Sequence, residues 1–101
     1  MIVSFSMFPT DKGERVGKYV ARIIDLVDKS GLPYQTGSMS TTLEGDWDKI
    51  FKLIKRCNMA LKRDCKRIYT VITIDDRKAA RGRIKGKVDD LEKILKRKIK
   101  R

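Results

Sequence analysis

The side chains of this sequence that could do chemistry concentrate in one stretch, residues 34–48. Thr36, Ser40, Thr41 and Thr42 supply neutral hydroxyls there, Glu44 supplies a carboxylate, and Gly37 and Gly45 punctuate the segment. Turn formation accounts for the two glycines. It does not account for four hydroxyls gathered beside one carboxylate. That set suits a cationic or amine-bearing ligand, because hydroxyls both donate and accept while an ionised carboxylate accepts. Elsewhere the chemistry thins out. There is no histidine, which removes the commonest general base and the commonest metal ligand. Cys57 and Cys65 stand eight positions apart, about 12 Å if one helix ran through both, too far for a disulfide within it. They read as reduced thiols of a cytosolic protein, with no base placed to activate either. Asp75 and Asp76 are neighbours on a strand, so their side chains point apart, and the pair reads as a strand terminator rather than a cation site. No phosphate-cradling glycine pattern occurs. The expectation is non-covalent binding, not catalysis, with no metal and no cofactor beyond the ligand itself.

The elements that must position these residues follow from periodicity. Residues 2–8 alternate as a strand, with Val3, Phe5 and Met7 on one face and Ile2, Ser4, Ser6 and Phe8 on the other. A helix is predicted over 14–30, with Val16, Val20, Ile23 and Val27 as its apolar stripe and Gly31 and Pro33 ending it. Short strands follow at 34–36 and 40–44, joined by a turn at Gly37-Ser38-Met39. Asp46 is the expected N-cap of a helix over 46–63, on which Trp47, Ile50, Phe51, Ile54, Cys57 and Leu61 share a face. That stripe assigns Trp47 to the core. Residues 68–74 form the last strand, and a final helix is predicted over 83–98 on Ile84, Val88, Leu91 and Leu95. The order βαββαβ followed by an extra helix is the ferredoxin-like α+β plan: one four-stranded antiparallel sheet with two helices on one face. One domain over residues 1–101 is expected, its last few residues a basic tail. The other sheet face, with Ser4, Ser6, Tyr69, Val71 and Thr73, is neither fully apolar nor fully polar, as binding or oligomer surfaces are.

The charge is lopsided. Residues 1–48 hold five Lys or Arg against seven Asp or Glu, and residues 49–101 hold twenty against six. A basic half attracts nucleic acid or any anionic surface. RNA-recognition modules share this element order but place aromatic residues on the central strands for base stacking. Here the third strand is Ser40-Thr41-Thr42-Leu43-Glu44 and the first offers Ser4 and Ser6, so the stacking platform is missing. Phosphate contact by the basic half would be unspecific. No apolar run approaches the ~20 residues of a membrane span, and the first residues lack the marks of a signal peptide. A cytoplasmic protein without membrane attachment is expected.

The stretch Tyr34-x-Thr36-Gly37-x-x-x-Thr41-Thr42-Leu43-Glu44-Gly45-x-Trp47 resembles the signature hairpin of the small thiamine-binding protein family. The opening strand Val3 to Pro9 and the strand ending Ile74-Asp75 are similar to it as well, so the resemblance spans roughly the whole chain, with Thr-Thr-x-Glu-Gly its most specific part. It implies a ferredoxin-like fold, association through sheet faces into a homodimer or homotetramer, and non-covalent binding of thiamine or its hydroxymethylpyrimidine moiety in the cytosol. The implied ligand site is Thr36, Ser40, Thr41, Thr42 and Glu44, with Ser4 and Ser6 on the neighbouring strand. Glu44 is the implied partner of the aminopyrimidine or the thiazolium, and the hydroxyls orient the ring. Three alternatives stand beside this reading: a nucleic-acid-associated module using residues 49–101, a structural oligomer without a ligand, and an enzyme using Glu44 as a base.

Overall fold

The alternation along the first strand decides the architecture. In a computed structural model describing residues 1–101, strand β1 (Ile2–Pro9) buries Val3, Phe5 and Met7 and leaves Ser4 and Ser6 half-exposed on its other side. It is followed by helix α1 (Gly17–Lys29), strands β2 (Tyr34–Thr36) and β3 (Thr41–Glu44), helix α2 (Trp47–Lys62), strand β4 (Ile68–Asp75) and helix α3 (Arg83–Leu95). The sheet order is β2-β3-β1-β4 with every neighbouring pair antiparallel. This is the ferredoxin-like α+β fold with one helix added.

Register fixes which residues share a face. Val3 pairs with Leu43 and Ile74, and Phe5 with Thr41 and Ile72. Tyr34 and Thr36 stand opposite Leu43 and Thr41. These residues form the face that α1 and α2 cover. The core is closed by Tyr19, Ile23 and Val27 from α1 and by Ile50, Leu53, Ile54, Cys57 and Leu61 from α2. Tyr19 takes the buried place that the apolar spacing gave to Val16 and Val20, which are only half-buried. The helix begins at Gly17, three residues later than the spacing suggests, and no side chain caps its N-terminus at Val16. Asp46 does cap α2, its Oδ1 accepting from the Lys49 N–H at 2.9 Å.

The opposite face carries Ile2, Ser4, Ser6, Phe8, Thr42, Glu44, Tyr69, Val71 and Thr73, and no element of the chain covers most of it. Helix α3 starts at one corner of that face. Glu44 accepts from its first N–H groups, and Asp75 pairs with Lys87. Its far half projects, with Leu91, Ile94 and Leu95 exposed. The radius of gyration is accordingly 15.1 Å, against about 13 Å for a compact chain of this length. The helix ends three residues earlier than its pattern suggests. Lys96 turns into the left-handed region at φ 59°, and Glu92 then captures the returning tail through the Ile99 N–H and Arg101.

Candidate functional site

Strand β3 is short, and that shortness makes a cavity. It pairs with β1 only from Ile2 to Phe5, so Ser6 to Phe8 have no β3 partner along that edge. The chain instead turns through Gly37-Ser38-Met39-Ser40, closed by the Gly37 N–H donating to the Ser40 carbonyl at 2.8 Å. A cavity of about 240 Å³ opens between this hairpin, β1 and α1. Its floor is apolar: Phe5, Met7, Val16, Val20 and Ile23. Its polar rim is Thr36, Ser38, Ser40 and Thr41, Ser6 bordering it from β1, and no charged side chain lines it. The Thr36 and Thr41 hydroxyls lie 2.8 Å apart and share one hydrogen bond. One O–H proton of the pair is used there and the other stays available to a ligand, along with unshared lone pairs.

The seven residues singled out in the sequence therefore do not converge on one spot. Thr36, Ser40 and Thr41 meet at the hairpin cavity, while Ser6 borders it from β1 with its side chain directed to the uncovered sheet face. Ser4 and Thr42 face each other across the strands on the uncovered sheet face, beside Thr73, and the Thr73 Oγ1 donates to the Ser4 carbonyl at 3.5 Å. Glu44 closes the other end of β3, about 10 Å from Thr41 at strand spacing. Its carboxylate accepts from the Arg83 N–H at 3.0 Å on both oxygens and from the Ile84 N–H at 3.3 Å. It holds the N-terminus of α3, as a negative charge at that end of a helix should. The reason for the split is the pleat: Thr41 and Thr42 are adjacent, so they point to opposite faces of the sheet.

Trp47 corrects the reading of the α2 stripe. It is 54% exposed and packs against Phe51 with ring centroids 4.8 Å apart and the ring planes tilted by 34°. As the first residue of α2 it lies at the open end of the helix, before the stripe reaches the sheet. It borders a larger cleft of about 960 Å³, bounded by Leu32 to Tyr34, the start of α2, the loop after β4 and the start of α3. Lys49, Arg77, Lys78, Arg81 and Lys85 line this cleft. Sequence reasoning did not bring these cations together, because they belong to two helix starts and a loop. The run Arg77 to Arg81 was the available signal.

The remaining reactive groups are withdrawn from solvent. Cys57 and Cys65 are buried free thiols, and burial pushes the Cys57 thiol up to about 11, far from the thiolate form needed of a nucleophile. No group of three or more Cys, Asp or Glu side chains is placed to hold a metal ion. No helix is long and apolar enough to cross a membrane.

The family model described as "Thiamine-binding protein" matches residues 3–92. The chain belongs to that family. Among its relatives is a UPF0045 protein of Methanocaldococcus jannaschii, 33% identical over 100 residues, covering 99% of this chain and 89% of that protein. Another is a UPF0045 protein of Mycobacterium tuberculosis, 36% identical over 98 residues and covering 96% of each. The crystal structure of the M. jannaschii protein superposes with a TM-score of 0.82 over 89% of this chain and 93% of that one. A Thermotoga maritima structure, provisionally assigned by its authors to thiamine biosynthesis or salvage, is 26% identical and gives 0.78 over 89% and 96%. These family members share the ferredoxin-like fold.

Proposed function

We propose that the chain binds the pyrimidine end of thiamine, or free hydroxymethylpyrimidine, non-covalently in the hairpin cavity. The observation that carries this reading is the uncharged cavity with an apolar floor and a hydroxyl rim of Thr36, Ser40 and Thr41. A flat heteroaromatic ring gains from the floor, and its amino group and ring nitrogens find hydroxyl donors and acceptors on the rim. The volume falls below the ~300–1,000 Å³ of pockets for larger ligands, in keeping with one ring. No carboxylate lines the cavity, so the thiazolium of thiamine would extend towards solvent. Membership in the thiamine-binding family supports the choice of ligand. The role is binding without catalysis, in the reducing cytosol that two free thiols suit, by a homo-oligomer joined through the uncovered sheet faces.

The test is titration calorimetry with hydroxymethylpyrimidine and thiamine at two salt concentrations, with a short duplex RNA as comparator. Saturable binding of both ligands with similar affinity is expected, little affected by salt. Thr36→Val and Ser40→Ala should each weaken it by about tenfold or less, the loss of one neutral hydrogen bond. Thiamine binding without hydroxymethylpyrimidine binding would remove the ring from the cavity. Heat from RNA alone, collapsing in salt, would move the function to the basic half.

A further inference from the structure

The cleft at the Glu44 end of the sheet gathers cations that form no salt bridge within the fold. Lys49 comes from the first turn of α2, Lys85 from the first turn of α3, and Arg77, Lys78 and Arg81 from the loop between β4 and α3. None of the five takes part in a salt bridge; the ion pairs of the molecule use Arg22, Lys29, Arg83, Lys87, Lys98 and Arg101. Lys49 and Lys85 stand in first turns, where the helix dipole disfavours a cation. Five like charges around one cleft also repel one another. This placement weakens the empty fold and is relieved by an anion. Three carboxylates, Glu44, Asp46 and Asp76, line the same cleft, so the cations outnumber them by two. Glu44 caps α3 and Asp46 caps α2. With both helix ends occupied, an anion here is held by side chains, not by backbone amides. Beside the cations lies Trp47, more than half exposed, with Leu32, Pro33 and Ile84 as apolar surroundings.

We propose that this cleft binds a small phosphate or diphosphate ester that carries an aromatic ring. Arginine and lysine side chains take the phosphoryl oxygens by charge-assisted hydrogen bonds, and the ring stacks on the free part of Trp47. Nucleotides and phosphorylated ring vitamins share this chemistry. The site lies at the opposite end of β3 from the hairpin cavity, and the assignment does not rest on what that cavity binds.

Trp47 is the only tryptophan, so its fluorescence reports on the cleft directly. The full chain is titrated with ADP and with thiamine diphosphate, beside adenosine and inorganic pyrophosphate as controls, and the affinities are confirmed by calorimetry. Saturable quenching by one or both esters is expected, weakening as ionic strength rises, and which of them binds tighter identifies the source. Both controls should bind more weakly by about tenfold or more, each lacking one of the two contacts. The double variant Arg81→Gln, Lys85→Gln should lose about tenfold in affinity for the esters while melting no lower than wild type and keeping its heat of hydroxymethylpyrimidine binding. Pyrophosphate binding as tightly as the esters overturns the ring contact. Absence of quenching by either ester at millimolar concentration, with no heat from ADP, overturns the site, as does binding of single-stranded RNA without quenching by either ester. Hydroxymethylpyrimidine binding is scored separately, so failure of the hairpin reading and failure of this one are distinguishable.

Discussion

Glu44 is the residue whose chemistry the tertiary structure redirects most. As a side chain in a hydroxyl-rich strand it suits a cationic ligand, and in the folded chain its carboxylate receives the first N–H groups of α3. It is 9% exposed, so little of it remains open to solvent. Glu44→Gln keeps the size and one acceptor but removes the charge that the helix dipole favours. The variant should lose about 1 kcal/mol of stability, with the loss concentrated in α3. Amide exchange would show this as faster exchange over residues 83–88 with β1 and β4 unchanged. Hydroxymethylpyrimidine affinity should stay near wild type, because the cavity lies at the other end of β3. A variant with unaltered exchange but weakened ligand binding would return Glu44 to the ligand site. Neither outcome was legible from residues 34–48 alone, since the partner of Glu44 lies 39 positions away in the chain.

At the scale of elements, the two covering helices are joined by more than their apolar stripes. Arg22 of α1 makes a two-pronged contact with Asp64, just beyond α2, at 2.8 Å for each nitrogen. The guanidinium holds the Asp64 carboxyl down at about 2. A folded-state value below the unfolded one means that this contribution is complete above about pH 4 and disappears as pH falls through about 2. The pair is partly exposed, so its contribution is modest. Asp64→Asn should lower the melting temperature at neutral pH and flatten the decline of stability between about pH 4 and pH 2. Thermal melts of both proteins across that range check it, and parallel acid slopes would mean the latch contributes nothing. Element types and most limits were visible in the sequence, because the strands alternate and α2 repeats apolar residues at helical spacing. The end of α3 was not: its pattern continues past Leu95, and the chain leaves the helix to bring Ile99 and Arg101 back to Glu92.

For the whole molecule, the uncovered sheet face is the dominant unpartnered surface. Phe8 and Tyr69 lean together on it at 5.9 Å between ring centroids. Both are exposed, as is Val71. If copies associate through this face, Ser4→Lys places a charge at its centre, between Thr42 and Thr73, where association would bury it without a partner. The variant should elute as a smaller species than wild type in size-exclusion chromatography with light scattering, with an unchanged circular dichroism spectrum. Equal sizes would place any interface elsewhere, for example on the exposed Leu91, Ile94 and Leu95 of α3.

The sequence by itself determined the fold and the family. Alternation, helical spacing, Asp46 as a cap and Gly31 as a stop are local properties, and each is satisfied within a few residues of chain. The same local reading grouped seven polar residues because they are close in sequence or on neighbouring strands. Only the tertiary structure decided how they are shared out. The pleat sends Thr41 and Thr42 to opposite faces, and the shortness of β3 opens the cavity beside Thr36 and Thr41. Docking of α3 commits Glu44 to a backbone that is distant in sequence. The same docking gathers Lys49, Arg77, Lys78, Arg81 and Lys85 beside Trp47. Long-range packing created these juxtapositions, and no spacing along the chain encodes them.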